Sequence, residues 1–217
     1  MRINKYIALF GDFSRREADR LIEGGKVLID GEKAELGDMV AANSEIIVNG
    51  EKLVGKEYVS LAYNKPKDIV TSSPHRGQKS IADILDYPAR VHPIGRLDKN
   101  SRGLILLTND PRLTEKVLGW EKEYEVEVDN EITQDFLNNM KAGVIISTEK
   151  GYYKTKPASI KKLSPKLFSI ILKEGKKRQV RLMCRALGYR VRDLKRVRIG
   201  KIKLEDIKEN KYKKIAL

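Results

Sequence analysis

One cysteine, Cys184, and two histidines, His75 and His92, are all that 217 residues offer in the way of soft ligands. A single thiol closes no intramolecular disulfide, and so few such side chains assemble neither a thiolate cluster nor a histidine-rich metal site. That usage fits a reducing compartment and predicts no metal. No apolar run approaches the roughly 20 residues that cross a bilayer, and the opening MRINKYIALFGDF lacks the charged-then-apolar layout of a secretory leader. The expectation is a cytoplasmic protein with no membrane partner. Glycine-rich loops of the Walker or dinucleotide type are absent too, so no motif asks for a nucleotide cofactor.

What is present is positive charge, unevenly placed. Forty-four Lys and Arg against thirty Asp and Glu give a formal +14. Residues 1–58 carry nine basic against eleven acidic side chains, residues 59–163 seventeen against fourteen, and residues 164–217 eighteen against five. Nearly all the excess therefore lies in the last quarter, which points to a polyanionic partner, of which nucleic acid is the commonest. Hydrophobic residues make up 41% of the chain, enough for one large domain or for a small one joined to a mid-sized one.

The basic block has helical order. In GKKRQVRLMCRALG (175–188), Val180, Met183, Cys184 and Leu187 follow the i, i+3, i+4, i+7 spacing of one apolar face, and Gly188 supplies a stop. Arg178, Arg181 and Arg185 are expected on the opposite face, facing phosphates or a carboxylate. Cys184 reads as a small core residue rather than a nucleophile.

Residues 1–53 read as a separate unit. NKYIALFG predicts a short helix. SRREADRLIEGG opens with a Ser14/Glu17 capping box and buries Ala18, Leu21 and Ile22. Two β segments follow, KVLIDGEKA and SEIIVNGEKL, whose echo is shared turn chemistry rather than a repeat architecture. Residues 54–58 read as a linker and 59–217 as a second domain. There, YVSLAYN, DIVTS, GLILLT, YEVEVD, LFSIILK and IGKIKL read as strands, and SIADILD, RLTEKVLG, TQDFLNNMKAG and the arginine stretch as helices. The sum is an α+β fold with a mixed, largely antiparallel sheet. His75 and His92 have no partner in the pattern and read as structural or RNA-contacting.

The stretch HPIGRLDKNSRGLILLTND (92–110) sets Asp98 between Arg96 and Arg102, at the lip of a continuous apolar strand. A core strand cannot slip, so the loop before it is held rigidly. Neighbouring arginines favour the ionised carboxylate, which suits a nucleophile or base and not a general acid. Taken alone, R-L-D is a weak signal.

The whole run G-R-L-D-x-x-S-x-G-L-I-L-L-T-N-D, however, resembles the signature of the RNA pseudouridine synthases. YNKPKDIVTS (63–72), KEYEVEV (122–128) and EGKKRQVRLMCRALGYRVRDLKRVRIGKIKL (174–204) resemble further motifs of that family, in order. The first unit resembles the S-four-type αL RNA-binding module, on S-R-R-E-A-D-R-L-I and K-V-L-I-D-G. The closest likeness is to the branch acting on large-subunit ribosomal RNA. The resemblance implies that Asp98 is catalytic, that Tyr124 stacks on the target base, and that Arg181 pairs with Asp98. It implies that Arg96 fills the space the extruded base leaves and that Leu204 lines the pocket. Lys65, Arg102, Arg178 and Arg185 are expected on RNA, and Arg15, Arg16, Arg20 and Lys26 on phosphates through the αL module. Three positions depart from the family pattern: Asp68 and Pro111 stand where glycines are usual, and Leu182 where many relatives are basic.

The implied reaction breaks the N1–C1′ bond of a uridine, turns the base and joins C5 to C1′, with no cofactor and no metal. The partner would be RNA, ribosomal first and small-subunit or tRNA anticodon-arm RNA behind it, and the protein a monomer. A catalytically idle RNA-binding or ribosome-assembly factor is the competing class; release of tritium from C5 of uridine separates the two.

Overall fold

Two units divide between Tyr58 and Val59 in the computed structural model, which describes residues 1–217 apart from 42, 56 and 73. Residue 56 of the expected linker thus lies outside the described residues. In the first unit, α1 (Ile3–Phe10) and α2 (Arg15–Glu23) pack on a small sheet. The capping box forms: Ser14 Oγ accepts from the Glu17 N–H at 3.2 Å, and the Ser14 N–H donates to the Glu17 carboxylate at 2.6 Å. Ala18 and Ile22 then face Ile3, Ile7, Val27, Ile46 and Val48 in one buried cluster. Strands β1 (Val27–Ile29), β2 (Glu32–Lys33), β3 (Ile46–Val48) and β4 (Glu51–Lys52) lie in the order β2-β1-β3-β4, all antiparallel. Their hairpins close through Asp30-Gly31 and Asn49-Gly50, each pair at positive φ, the geometry that two-residue hairpin turns demand.

The second unit is built on one nine-stranded sheet. Its elements are β5 (Ser60–Lys65), α3 (Ile81–Ile84), β6 (His92–Ile94), β7 (Arg102–Thr108), α4 (Leu113–Leu118), β8 (Lys122–Val128), α5 (Gln134–Ala142), β9 (Ile145–Thr148), β10 (Gly151–Lys154), β11 (Ser159–Ser164), β12 (Leu167–Leu172), α6 (Gln179–Ala186), β13 (Val191–Ile199), β14 (Ile202–Lys203) and β15 (Tyr212–Lys214). The order is β11-β12-β8-β13-β7-β5-β15, with β14 on β13 and β6 on β7. Every pairing is antiparallel except β13 with β7 at the centre. The sheet is mixed and largely antiparallel, and the fold is α+β. Strand β7 is buried throughout Gly103–Thr108, as its unbroken apolar run requires.

Three sequence expectations shift. DIVTS forms only an isolated bridge at Val70. IGKIKL is the hairpin joining β13 to β14, turned at Gly200. The arginine stretch is helical only over Gln179–Ala186, because Arg178 sits at φ 55°, ψ 28° as the N-cap. Cys184 is fully buried, and burial pushes its thiol up to about 12, as befits a core residue.

Candidate active site

Where β7 meets its parallel neighbour β13, the backbones come unusually close. Gly103 pairs with Arg196 at φ 103°, and a Cβ at Gly103 would stand 2.4 Å from the Arg196 carbonyl oxygen, so no other residue fits. This close approach fixes the strand that follows the Asp98 loop against the strand that carries Arg196.

The loop between β6 and β7 is held by its backbone, from several sides. The Thr71 hydroxyl donates to the Leu97 carbonyl at 2.6 Å and accepts from the Leu97 N–H at 3.0 Å. The Asp68 N–H donates to the Lys99 carbonyl at 2.9 Å, and the Lys65 ammonium donates to the Pro66 carbonyl at 2.6 Å and to that of Lys99 at 3.4 Å. Arg181 Nη2 donates to the Asn100 carbonyl at 2.8 Å and the Ser101 hydroxyl at 3.2 Å. Arg196 Nε donates to the Leu104 carbonyl at 2.6 Å, and its Nη1 reaches the Arg96 carbonyl at 3.4 Å. Asp68 does this at φ 64°, which explains a glycine preference at that position; aspartate is among the few other residues that tolerate it.

Asp98 itself is half-buried and faces a cavity of about 700 Å³. Arg96, Tyr124, Arg178, Val180, Leu194 and Arg196 also line it, with Lys122 at one side. Burial lowers the Lys122 ammonium, which donates to the Leu118 and Trp120 carbonyls at 2.9 and 2.7 Å. The arrangement is the Asp98 carboxylate, a second carboxylate, Glu174, held by Tyr153 and Gln179, one aromatic face and a rim rich in cations, in a pocket sized for a nucleotide.

Several expected roles are corrected. Lys65 is fully buried behind the loop, out of reach of RNA, and burial brings its ammonium down to about 8. Arg102 turns away from the cavity and gives both Nε (2.9 Å) and Nη2 (2.7 Å) to Asp193, to which Lys67 also binds at 2.7 Å. Burial opposes the charge on Asp193, but these two cations outweigh it and hold the carboxyl below its usual range. Leu204 packs in a core cluster with Ala62, Ile94, Leu104 and Ile199; the leucines on the cavity wall are Leu97, Leu118, Leu172 and Leu194. Arg181 is half-buried against the loop rather than displayed, and among the described residues it forms no direct ion pair with Asp98. Burial lowers its guanidinium, while the charge of Asp98 acts on it through space in the opposite sense.

Arg178 and Arg185 are exposed, as are Arg15, Arg16, Arg20 and Lys26 in the first unit. There Arg20 and Lys26 flank a shallow cavity of about 410 Å³ with Phe13 and Leu21. Sequence reasoning missed Arg196. It is 2% exposed, and its Nη2 finds no hydrogen-bond acceptor among the described residues. A buried donor left unpaired costs roughly 1–3 kcal/mol, and such a cost recurs at functional sites.

Comparison with known proteins agrees with this architecture. Residues 58–186 match the RNA pseudouridylate synthase family and residues 1–46 the S4 domain. The chain is 43% identical to the dual-specificity RNA pseudouridine synthase RluF of Escherichia coli (strain K12), over 95% of this chain and 72% of that protein. It is 36% identical to the ribosomal large subunit pseudouridine synthase B of Bacillus subtilis (strain 168), over 90% of this chain and 84% of that one. A crystal structure of a pseudouridylate synthase superposes on the whole chain and 96% of its own with a TM-score of 0.71, at 29% identity. With its S4 domain followed by this catalytic fold, the chain belongs to the RNA pseudouridine synthases, which are isomerases.

Proposed function

We propose that the substrate is a uridine in large-subunit ribosomal RNA, isomerised in the cavity that Asp98 and Tyr124 share. That shared cavity is the observation that carries the reading. The family reaction needs one carboxylate near the sugar, either attacking C1′ or taking the C2′ proton, and Asp98 is the carboxylate on the loop that Lys65, Thr71, Arg181 and Arg196 hold. Tyr124 stacks on the uracil once it has left its helix, and Arg96, exposed on the rim, fills the gap behind it. Arg181 acts as a positioning residue: it holds the Asn100 carbonyl and the Ser101 hydroxyl and lends positive potential to a pocket where charge matters more than in water.

In the reaction the N1–C1′ bond breaks, the C5–C1′ bond forms, the proton on C5 passes to solvent, and N1 takes up a proton in its place. Residues 1–53 serve as the S4 unit, 54–58 as linker and 59–217 as the catalytic domain, working as a monomer in the cytoplasm without cofactor. Arg15, Arg16, Arg20 and Lys26 hold phosphates of structured RNA at a distance from the reacting base. The likeness to a large-subunit enzyme supports this substrate class. The test uses ribosomal RNA transcribed with uridine tritiated at C5. Tritium release from large-subunit RNA, and not from small-subunit RNA or tRNA, is expected; release from none of them would overturn the reading.

A further inference from the structure

A second cavity, of about 490 Å³, adjoins the first. It lies between the β9–β10 hairpin and the loop 175–178, and it shares Lys176, Lys177 and Arg178 with the Asp98 cavity. The hairpin is a two-stranded sheet of its own. On one face Ile146 is buried in the core; on the other, opposite Ser147 in register, the Tyr152 ring stands 86% exposed. Tyr153 forms a fixed wall. Its ring carries the Lys176 ammonium 4.5 Å from the centroid, and its hydroxyl donates to Glu174 at 2.7 Å. Glu174, which also takes a 2.7 Å hydrogen bond from Gln179, lines the Asp98 cavity, so the two spaces have a common partition. Lys177 is paired with Glu149 at the hairpin tip. Arg178, between them, holds a left-handed backbone that few non-glycine residues adopt. Leu182, at the position where many relatives are basic, adds apolar floor.

An exposed aromatic, an apolar floor and a cationic rim are the elements with which proteins stack unpaired bases while tracking their backbone. Two cavities joined by one basic loop match two nucleotides joined by one phosphate. We propose that the second cavity receives an unpaired base neighbouring the target uridine, stacked on Tyr152, with the connecting phosphate at Lys176, Lys177 and Arg178. This subsite rests on the isomerase reading of the Asp98 cavity and assigns its strand a direction of travel toward the hairpin.

Tyr152→Trp places a reporter there, read as difference emission against wild type, whose one tryptophan is Trp120. The probes are an oligouridylate and, as a base-free polyanion, inorganic polyphosphate. Oligouridylate should quench the new indole and polyphosphate should not. Tyr152→Ala should bind oligouridylate about tenfold more weakly, equivalent to about 1.4 kcal/mol, with polyphosphate binding unchanged, while Tyr152→Phe should match wild type. Equal quenching by both polyanions, or equal oligouridylate affinity of Tyr152→Ala and wild type, overturns the subsite. Tritium release measured in parallel separates the two readings. Release without quenching removes the subsite alone, and quenching without release removes the isomerase reading alone.

Discussion

The Asp98 loop and helix α2 are both expected to meet RNA, yet they are built in opposite ways. The loop is fixed through its own backbone by Lys65, Thr71, Arg181 and Arg196, which leaves little freedom at the carboxylate. The arginines of α2 are exposed and lightly held: Arg15 reaches Asn4 at 3.3 Å, and Arg20 reaches the Arg16 carbonyl at 3.4 Å. Bond-making tolerates errors of well under an ångström, whereas a phosphate can be met by a flexible cation at many angles. Rigidity is concentrated where chemistry is expected and withheld where recognition is expected.

The comparison breaks most visibly at Asp98. Asp98→Asn should abolish turnover, by at least about a thousandfold, while RNA affinity changes by less than about tenfold, because affinity comes from phosphates. Tritium release and filter binding on one preparation check this; near-normal turnover would remove Asp98 from the reaction. Next comes the clamp. Arg181→Met should lower kcat about a hundredfold and leave KM close to its original value, since the loop loses its hold on Asn100 and Ser101 but the binding surface stays. Raised KM with unchanged kcat would make Arg181 an RNA-binding residue instead.

The lightly held side is tested by removing residues 1–58. The second unit keeps its own cores, so it should still turn over a short stem-loop while its affinity for full-length ribosomal RNA falls about ten- to a hundredfold. The salt slope should fall by about 0.9 for each phosphate that the shortened protein no longer neutralises, close to 4 for the four basic residues. An equal loss on both RNAs would place the first unit inside the catalytic architecture.

The clamp also carries an energetic cost that can be read from pH. Lys65 has its ammonium lowered to about 8 by burial, below the 10.5 of an unburied lysine. Between those values the unfolded chain holds the proton that the native state has released, so stability rises with pH. Wild type should gain about 1 kcal/mol relative to Lys65→Met between pH 7 and 9, measured by urea denaturation. A flat difference would mean that the buried Lys65 keeps its proton across that range. Smallest of all, Tyr124→Phe should cost no more than about threefold in rate, because stacking needs the ring. A loss as large as that of Arg181→Met would give the hydroxyl a chemical role.

What could be read in the sequence had contiguous signals. Ser14 and Glu17 announce α2, Gly103–Thr108 announces the central strand, and R-L-D beside it locates Asp98. What could not be read were charged residues that face inward. Lys65 and Arg196 are both buried, yet charge of that kind is almost always solvated, so no pattern marks them as interior. In V-R-D-L-K-R-V-R-I the alternation of β13 is broken by register shifts near Asp193 and near Arg198, so no clean period of two marks the strand. The pocket wall falls to Leu97, Leu118, Leu172 and Leu194 and not to Leu204, because which leucines face the cavity is set by packing between elements distant in the sequence. The β9–β10 hairpin, with its single aromatic pair, is too short to show a period.

The parallel pairing of β7 with β13 also sets an order of events during synthesis. Arg181 and Arg196 reach back 81 and 92 residues to secure the Asp98 loop and the strand after it. At roughly 5–20 residues per second, a ribosome makes the first unit, whose core lies within the first 53 residues, several seconds before those arginines exist. The nascent chain can therefore grip RNA before it can act on it, and closing so long a loop makes the catalytic sheet the slow step. Chains arrested at residue 190 should show a protease-resistant first unit and release no tritium.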